Sequence, residues 1–248
     1  IVEYLDVVLR ALDQPSMDGM NTFFAAFSAA ELTKVVLSGL GGDELFAGYP
    51  HFRRHRLADR LPRLPSAPLR LLPDRFRHNL MLPALTPCQR LATLRCLMYD
   101  QEKRRAAAFD PQEPTERLPE GSVHHDLDPV AQISLYELEG YLPRTLLRDC
   151  DAMSMVHGLE VRPILLDHQL AEFAFSLPSA CKLAGGRPKA VFLDALTCVL
   201  PESVLRRRKR GFEMPLLRWI SGPLLDRADD AFASDAAREW FSPAFLAD

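Results

Sequence analysis

The chain has 248 residues, 48% hydrophobic and 25% charged, with a formal net charge of −3. That composition is globular and long enough for one large domain or two small ones, and it excludes the chain-wide basic field that grips nucleic acid. Five scattered cysteines with no CxxC pair exclude a zinc ribbon or a disulfide framework; with no apolar stretch of membrane-spanning length and no leader in view, free thiols in a reducing cytoplasm are expected.

In chain order, Ile1 to Leu12 reads as a helix with Ile1, Leu5, Val8, Leu9 and Leu12 on one face. The pattern is already under way at Ile1, as in a piece of a longer chain. Asn21 or Thr22 caps a second helix carrying Phe23, Phe24, Phe27 and Ala30. Val35, Val36 and Leu37 form an apolar, β-branched run that reads as a buried strand of a parallel sheet. It is the one convincing buried strand, so its sheet partners are expected upstream of Ile1.

His51 to Arg60 carries Arg53, Arg54, His55, Arg56 and Arg60 and reads as a solvated helix face. Leu61 to Leu85, broken by prolines, reads as irregular or short-helical. Gln89 to Ala108 is predicted helical with Leu91, Leu94, Leu97 and Met98 inward, and Asp110 to Gly121 a loop. His124 and His125, before Asp126 and Asp128, point to different sides of any regular element and read as a loop or helix start, not a metal cluster.

Pro129 to Leu147 is predicted helical, and Asp151 to Glu160 continues with Met153, Met155 and Val156 packed inside. Glu160, Arg162 and Asp167 flank an apolar, proline-containing segment, so Arg162 is expected to meet Glu160 or Asp167. Gln169 to Leu177 is another amphipathic helix. Gly185-Gly186-Arg187-Pro188 is a flexible loop launching a helix from Lys189 to Leu200. That places Lys189 at a helix N-terminus, where the dipole disfavours a cation. Arg206 to Arg210 with Phe212 forms a local anion site, and Leu216, Leu217, Trp219 and Ile220 pack a closing helix.

The most informative stretch is Ser38-Gly39-Leu40-Gly41-Gly42-Asp43-Glu44, directly after the strand. Three glycines in four positions permit positive φ and close backbone approach to a ligand. Two carboxylates follow at the carboxyl end of a parallel strand, where open α/β sheets bind ligands. Asp43 either caps the next helix or serves a Mg²⁺-nucleotide, since Mg²⁺ takes one or two carboxylates plus phosphates.

Three colinear stretches resemble the asparagine synthetase family, in its synthetase domain. S-G-L-G-G-D-E-L-F-A-G-Y (Ser38 to Tyr49) resembles the S-G-x-G-x-D-E-x-F-x-G-Y signature. D-A-M-S-M-V-H-G-L-E-V-R-P-I-L-L-D-H (Asp151 to His168) resembles D-R-x-S-M-A-x-x-L-E-V-R-x-P-F-L-D-H. Gly185 to Trp219 resembles the family's lysine helix and its K-x-G-F-x-x-P-x-x-x-W segment.

The resemblance implies an α/β remnant of a parallel-sheet ATP-pyrophosphatase (adenine nucleotide alpha hydrolase-like) domain, mostly helical over this chain. Residues 1–60 would end the nucleotide-binding core, 61–130 form an insertion and 131–248 a helical C-terminal part. It implies ATP and Mg²⁺, adenylation of a carboxylate such as aspartate, and attack by glutamine-derived ammonia from an N-terminal glutaminase domain. A cytoplasmic homodimer is expected, with no nucleic acid or membrane partner. By position, Ser38, Gly39, Gly41 and Gly42 match ATP-contacting residues and Asp43 the Mg²⁺-pyrophosphate ligand. Lys189 matches the lysine that stabilises the transition states, with Asp43 also catalytic. Leu40 falls at the acceptor and adenylation position, and Glu44, Glu160, Arg162 and Asp167 are supporting.

Leu40, Ala152 and Leu193 depart from the family's acidic residue and two arginines, and Pro163 is displaced by one position. The pyrophosphate-binding S-G-G-x-D-S loop and the glutaminase domain are absent from this chain, which is therefore expected to be inactive alone. The alternatives are an ATP-dependent cyclase of the β-lactam synthetase or lasso-peptide macrocyclase kind, using an intramolecular amine, and a non-enzymatic nucleic-acid or partner-binding module acting through Arg53–Arg56 and Arg206–Arg210.

Overall fold

The computed structural model describes residues 2–16, 18–63, 79–95, 105–108, 126–207, 211 and 214–247. Expectations for most of the Leu61–Leu85 segment, Leu97 and Met98, the loop from Asp110, His124 and His125, and the Arg208–Arg210 and Phe212 cluster lie outside those residues. The chain divides into two compact units, Glu3–Asp59 with Leu118–Met214 and Arg60–Arg117 with Pro215–Asp248.

In the first unit, α1 (Val2–Ala11) and α2 (Gly19–Ala30) pack on α6 (Arg148–Met155), with Val8, Phe23 and Met153 at the centre. The α2 helix begins earlier than its predicted cap. Asp18, not Asn21 or Thr22, precedes it, and Asn21 is buried inside it. The Asp18 carboxylate accepts from Tyr141 Oη at 2.6 Å. The α1–α2 connection is tied to α6 through Ser16 on Asp149 and Arg148 Nε on Asp13 at 2.6 Å.

Strand β1 (Val35–Ser38) pairs in parallel with β2 (Glu160–Pro163), in register Val35 with Glu160 and Leu37 with Arg162. Two expectations change here. The β1 run is not buried: Val35 and Leu37 are 38% and 68% exposed, because nothing among the described residues covers their face of the sheet. Its partner also lies within this chain, where sequence patterning had shown only a charged junction. Glu160 and Arg162 alternate with Val161 and Pro163, so both charges share the exposed face. They pair there at 2.7 Å, so Arg162 does meet Glu160 as expected, and the ion pair is a solvated one.

Beyond β1 the chain forms α3 (Gly42–Leu45) and α4 (Pro50–Ala58). Phe52 and His55 of α4 are fully buried, and Arg56 Nη1 donates to Leu183 O at 3.0 Å, while Arg53 and Arg54 stay solvated. The basic stretch is thus a solvated face only in part.

The helix predicted from Pro129 to Leu147 is interrupted. α5 (Pro129–Glu139) ends at Gly140, and a π-helical turn at Leu142–Leu147, with Pro143 in its first turn, leads into α6. Within α6, Met153 is fully buried, whereas Met155 is 56% exposed and the following Val156 42%. One helix face covers the core, so both fall outside it.

After β2 come α7 (His168–Ser176), α8 (Ser179–Lys182) and α9 (Ala190–Ala195). The last is shorter than predicted, ending five residues before Leu200. Leu45, Phe46 and Ala174 centre a second core, against which Leu138, Phe175 and Phe192 pack.

In the second unit, Pro87–Arg95 is helical with Leu91 buried. Ala107 does not continue that helix; it forms an antiparallel bridge with Phe241. Leu216–Ile220 is helical but leaves Leu217 and Ile220 84% and 43% exposed, and three more helices follow it, Leu225–Ala233, Asp235–Trp240 and Pro243–Leu246. No described helix is long and apolar enough to cross a membrane.

Candidate active site

Ser38 closes β1, and its Oγ accepts from Leu40 N at 3.2 Å, folding the glycine loop back on the strand end. Of the three loop glycines, Gly41 alone takes positive φ, at 90°, where it precedes α3. A side chain on Gly41 would also meet Leu166, and one on Gly42 would meet Leu165, both just past β2. Gly39 differs. It is exposed, has ordinary φ, and a Cβ there would have no atom within 4 Å. The chain's own packing leaves room for a side chain at Gly39.

Asp43 is not the cap of α3, since Gly41 holds that position and Asp43 lies inside the single turn. Its carboxylate instead meets Lys189 Nζ at 3.0 Å, with side chains 20% and 23% exposed. Two residues singled out separately in the sequence therefore belong to one site. Lys189 reaches it from the N-cap position of α9 with φ of 54°. For a lysine that left-handed conformation costs about 1–2 kcal/mol, and the α9 dipole adds to the cost. The Asp43 charge offsets only part of that cost.

A residue given no role in the sequence makes this approach possible. A Cβ on Gly48 would lie 2.8 Å from Asp43 Cγ, and closer still to its Oδ1 and to Lys189 Cε. Gly48 N also donates to Asp43 O at 2.8 Å. Gly48→Ala should therefore push Asp43 off Lys189 and cost about 1 kcal/mol of stability, the low end for overpacking, because the displaced groups are side chains. Thermal unfolding checks this: a fall of roughly 2–4 °C in Tm is expected for a domain of this size, and no fall would mean the pair parts without cost.

Behind the site, Glu44 is fully buried and accepts from Tyr49 Oη at 2.6 Å. Burial pushes the Glu44 carboxyl up, against the Tyr49 hydrogen bond. Burial and then the Glu44 charge push the Tyr49 phenol up as well, which keeps it a donor. Next to them, His51 Nε2 lies 2.8 Å from Oε1 of the fully buried Glu137. In the sequence, Glu137 shows only as an acid at i+4 from Ile133 on an apolar stripe.

The remaining supporting residues lie apart. Glu160 and Arg162 pair on the exposed face of β2, each drawing its partner towards the charged form. Glu160 also lines a cleft with Cys150, Asp151, Ser154 and Pro163. Asp167 caps α7, accepting from Gln169 N at 3.0 Å and Leu170 N at 3.2 Å. Leu40 sits half-buried in the glycine loop. No group of three or more His, Cys, Asp or Glu side chains able to hold a metal occurs among the described residues. A single carboxylate still suits Mg²⁺, which takes most of its ligands from phosphates and water.

The family model for asparagine synthase matches residues 1–248. The chain belongs to the asparagine synthase family. A Mycobacterium bovis protein provisionally named a glutamine-hydrolysing asparagine synthetase is 31% identical over 95% of this chain and 38% of its own length. Bacillus subtilis glutamine-hydrolysing asparagine synthetase 1 is 26% identical over 89% of this chain and 37% of its own. A Gibberella zeae amidase is 24% identical over 85% and 36%. The chain thus spans less than two-fifths of the length of these curated relatives.

Proposed function

We propose that this chain supplies part of an ATP-pyrophosphatase-type synthetase site, which joins a carboxylate to a nitrogen nucleophile through an acyl-adenylate. In the fullest form of this reading, aspartate becomes asparagine with ammonia drawn from glutamine by a glutaminase domain, in the cytoplasm. The observation that carries it is the Asp43–Lys189 pair at the carboxyl end of β1, beside the open Gly39. Names of the relatives support the same chemistry.

In this reading Ser38 and the Gly39 backbone would contact ATP, and Asp43 would hold Mg²⁺ beside the pyrophosphate. Bound Mg²⁺ would neutralise charge on that leaving group. Lys189 places a compact ammonium where negative charge grows on phosphate and acyl oxygens, in a position fixed before reaction begins. Asp43 keeps the ammonium aimed while the site is empty of nucleotide.

The testing experiment is Asp43→Asn in the intact enzyme, followed by pyrophosphate release from ATP. Half-saturating Mg²⁺ should rise by about tenfold or more. The fold should survive, since a partly exposed ion pair contributes at most about 1 kcal/mol. Unchanged Mg²⁺ dependence would remove Asp43 from the ligand set.

A second reading rests on Leu40. It puts an apolar, half-buried side chain where asparagine-forming members carry an acid. That favours a different acceptor, as in cyclases that use an intramolecular amine. Failure of aspartate to stimulate pyrophosphate release would select this reading.

A further inference from the structure

The α3 helix is one turn long, and a single turn does not hold its own orientation in water. Yet Asp43, on that turn, must meet a Lys189 that reaches it from α9. Something else must fix the turn, and the buried side chains behind it provide the means.

Asp43 and Glu44 are adjacent, so their carboxylates leave the turn in different directions. Asp43 faces Lys189 at 3.0 Å, whereas Glu44 is buried at 1% exposure and held by Tyr49 Oη at 2.6 Å. Tyr49 comes back to Glu44 because Ala47, fully buried with φ of 56°, reverses the chain between α3 and α4. The Tyr49 ring stacks on His51 at 5.3 Å and lies parallel to Phe52 at 6.4 Å. His51 in turn reaches Glu137 on α5 at 2.8 Å, and Glu137 is fully buried. A continuous chain of contacts therefore runs from the buried Glu137 of α5 through the partly buried His51 and Tyr49 to the buried Glu44, one residue from Asp43.

Full burial of two carboxylates costs free energy unless donors meet them. Tyr49 donates to Glu44, and His51 Nε2 lies 2.8 Å from Glu137 Oε1. We infer that Glu44, Tyr49, His51 and Glu137 form a positioning relay that orients the α3 turn, so that Asp43 is held against Lys189. The inference rests on the reading of Asp43 as a ligand in the proposed reaction. These four are positioning residues; none is assigned contact with substrate.

The test is a double-mutant cycle in the intact enzyme, read by pyrophosphate release and by half-saturating Mg²⁺. Tyr49→Phe keeps the stacked ring and removes only the hydroxyl. It should raise half-saturating Mg²⁺ and lower kcat by about tenfold, with KM for ATP changed little. In an Asp43→Asn background the same substitution should cost less than about twofold, because groups acting through one another are not additive. An equal loss in both backgrounds would overturn the relay and leave Tyr49 as ordinary packing. Should Asp43→Asn alone leave Mg²⁺ dependence and rate untouched, the ligand reading falls first and the relay with it. If Tyr49→Phe does not fold, His51 carries the same cycle. His51→Gln, which keeps a donor for Glu137, should retain rate, and His51→Leu should lose it only where Asp43 is present. Equal behaviour of the two His51 variants would refute the relay.

Discussion

Replacing Lys189 with Ala in the intact enzyme should lower kcat and kcat/KM together by about 10²–10³-fold, leaving KM for ATP little changed. The expectation comes from where the ammonium is held and what it costs to hold it there. Lys189 takes left-handed backbone at the start of α9, an arrangement that offers a lysine no local benefit. Its partner Asp43 lies 3.0 Å away in the glycine-loop turn, and Gly48 contributes the bare backbone that lets them meet. A ground-state ion pair this exposed contributes too little to stability to account for such an arrangement. On the proposed function, an ammonium aimed in advance at growing phosphate charge accounts for it. Lys189→Arg should fail nearly as badly, because a planar fork does not occupy the space of a compact point charge. Steady-state kinetics decide the matter: a kcat within a few-fold of the unsubstituted enzyme would reduce Lys189 to a surface lysine paired with an acid.

How much of this could be read from sequence depended on the range of the signal. The β1–loop–α3 passage was legible because an apolar run, glycines and two acids punctuate it locally. β2 was not, because four residues that alternate charge with Val161 and end in Pro163 resemble a junction more than a strand. Its pairing with β1 spans most of the first unit, and no local rule reports such a partner. The same limit hid the meeting of Asp43 with Lys189, although each residue was singled out by itself. Met155 and Val156 differ from expectation for another reason: apolar character alone does not say which side of α6 faces Phe23. The pairing of Glu137 with His51 was not legible, because an acid and its partner on different helices leave no shared pattern in sequence. The family signature supplied residue roles early, but the reason for Gly48 became visible only with Asp43 and Lys189 in place.

Lys182→Met should stabilise the protein at pH 7 by an amount that shrinks by about 3 kcal/mol as pH rises to 10.5. Lys182, the last residue of α8, is fully buried, and its Nζ has no hydrogen-bond partner among the described residues. The ammonium lies 5.3 Å from the Phe175 ring centre, a contact that offsets only part of its lost hydration. Burial lowers its pKa from 10.5 to about 8, with the Asp128 charge opposing. Asp128 is itself occupied, accepting from Ser179 Oγ at 2.7 Å and from Val130 N at 2.9 Å at the start of α5. Below pH 8 both folded and unfolded chains carry the proton, and the cost of the buried charge is constant. Between 8 and 10.5 the unfolded chain binds more protons than the folded one, so stability rises with pH. A displacement of about 2.5 pKa units at about 1.4 kcal/mol each gives the expected change of about 3 kcal/mol. Methionine is unbranched, one heavy atom shorter than lysine and uncharged, so the variant lacks this pH-dependent contribution. The measurement is the difference in urea-unfolding free energy between the two proteins at pH 7, 8, 9 and 10.5, in which tyrosine and cysteine titration cancels. A difference that stays constant across that range would mean that the Lys182 ammonium is not held as a desolvated charge in the folded protein.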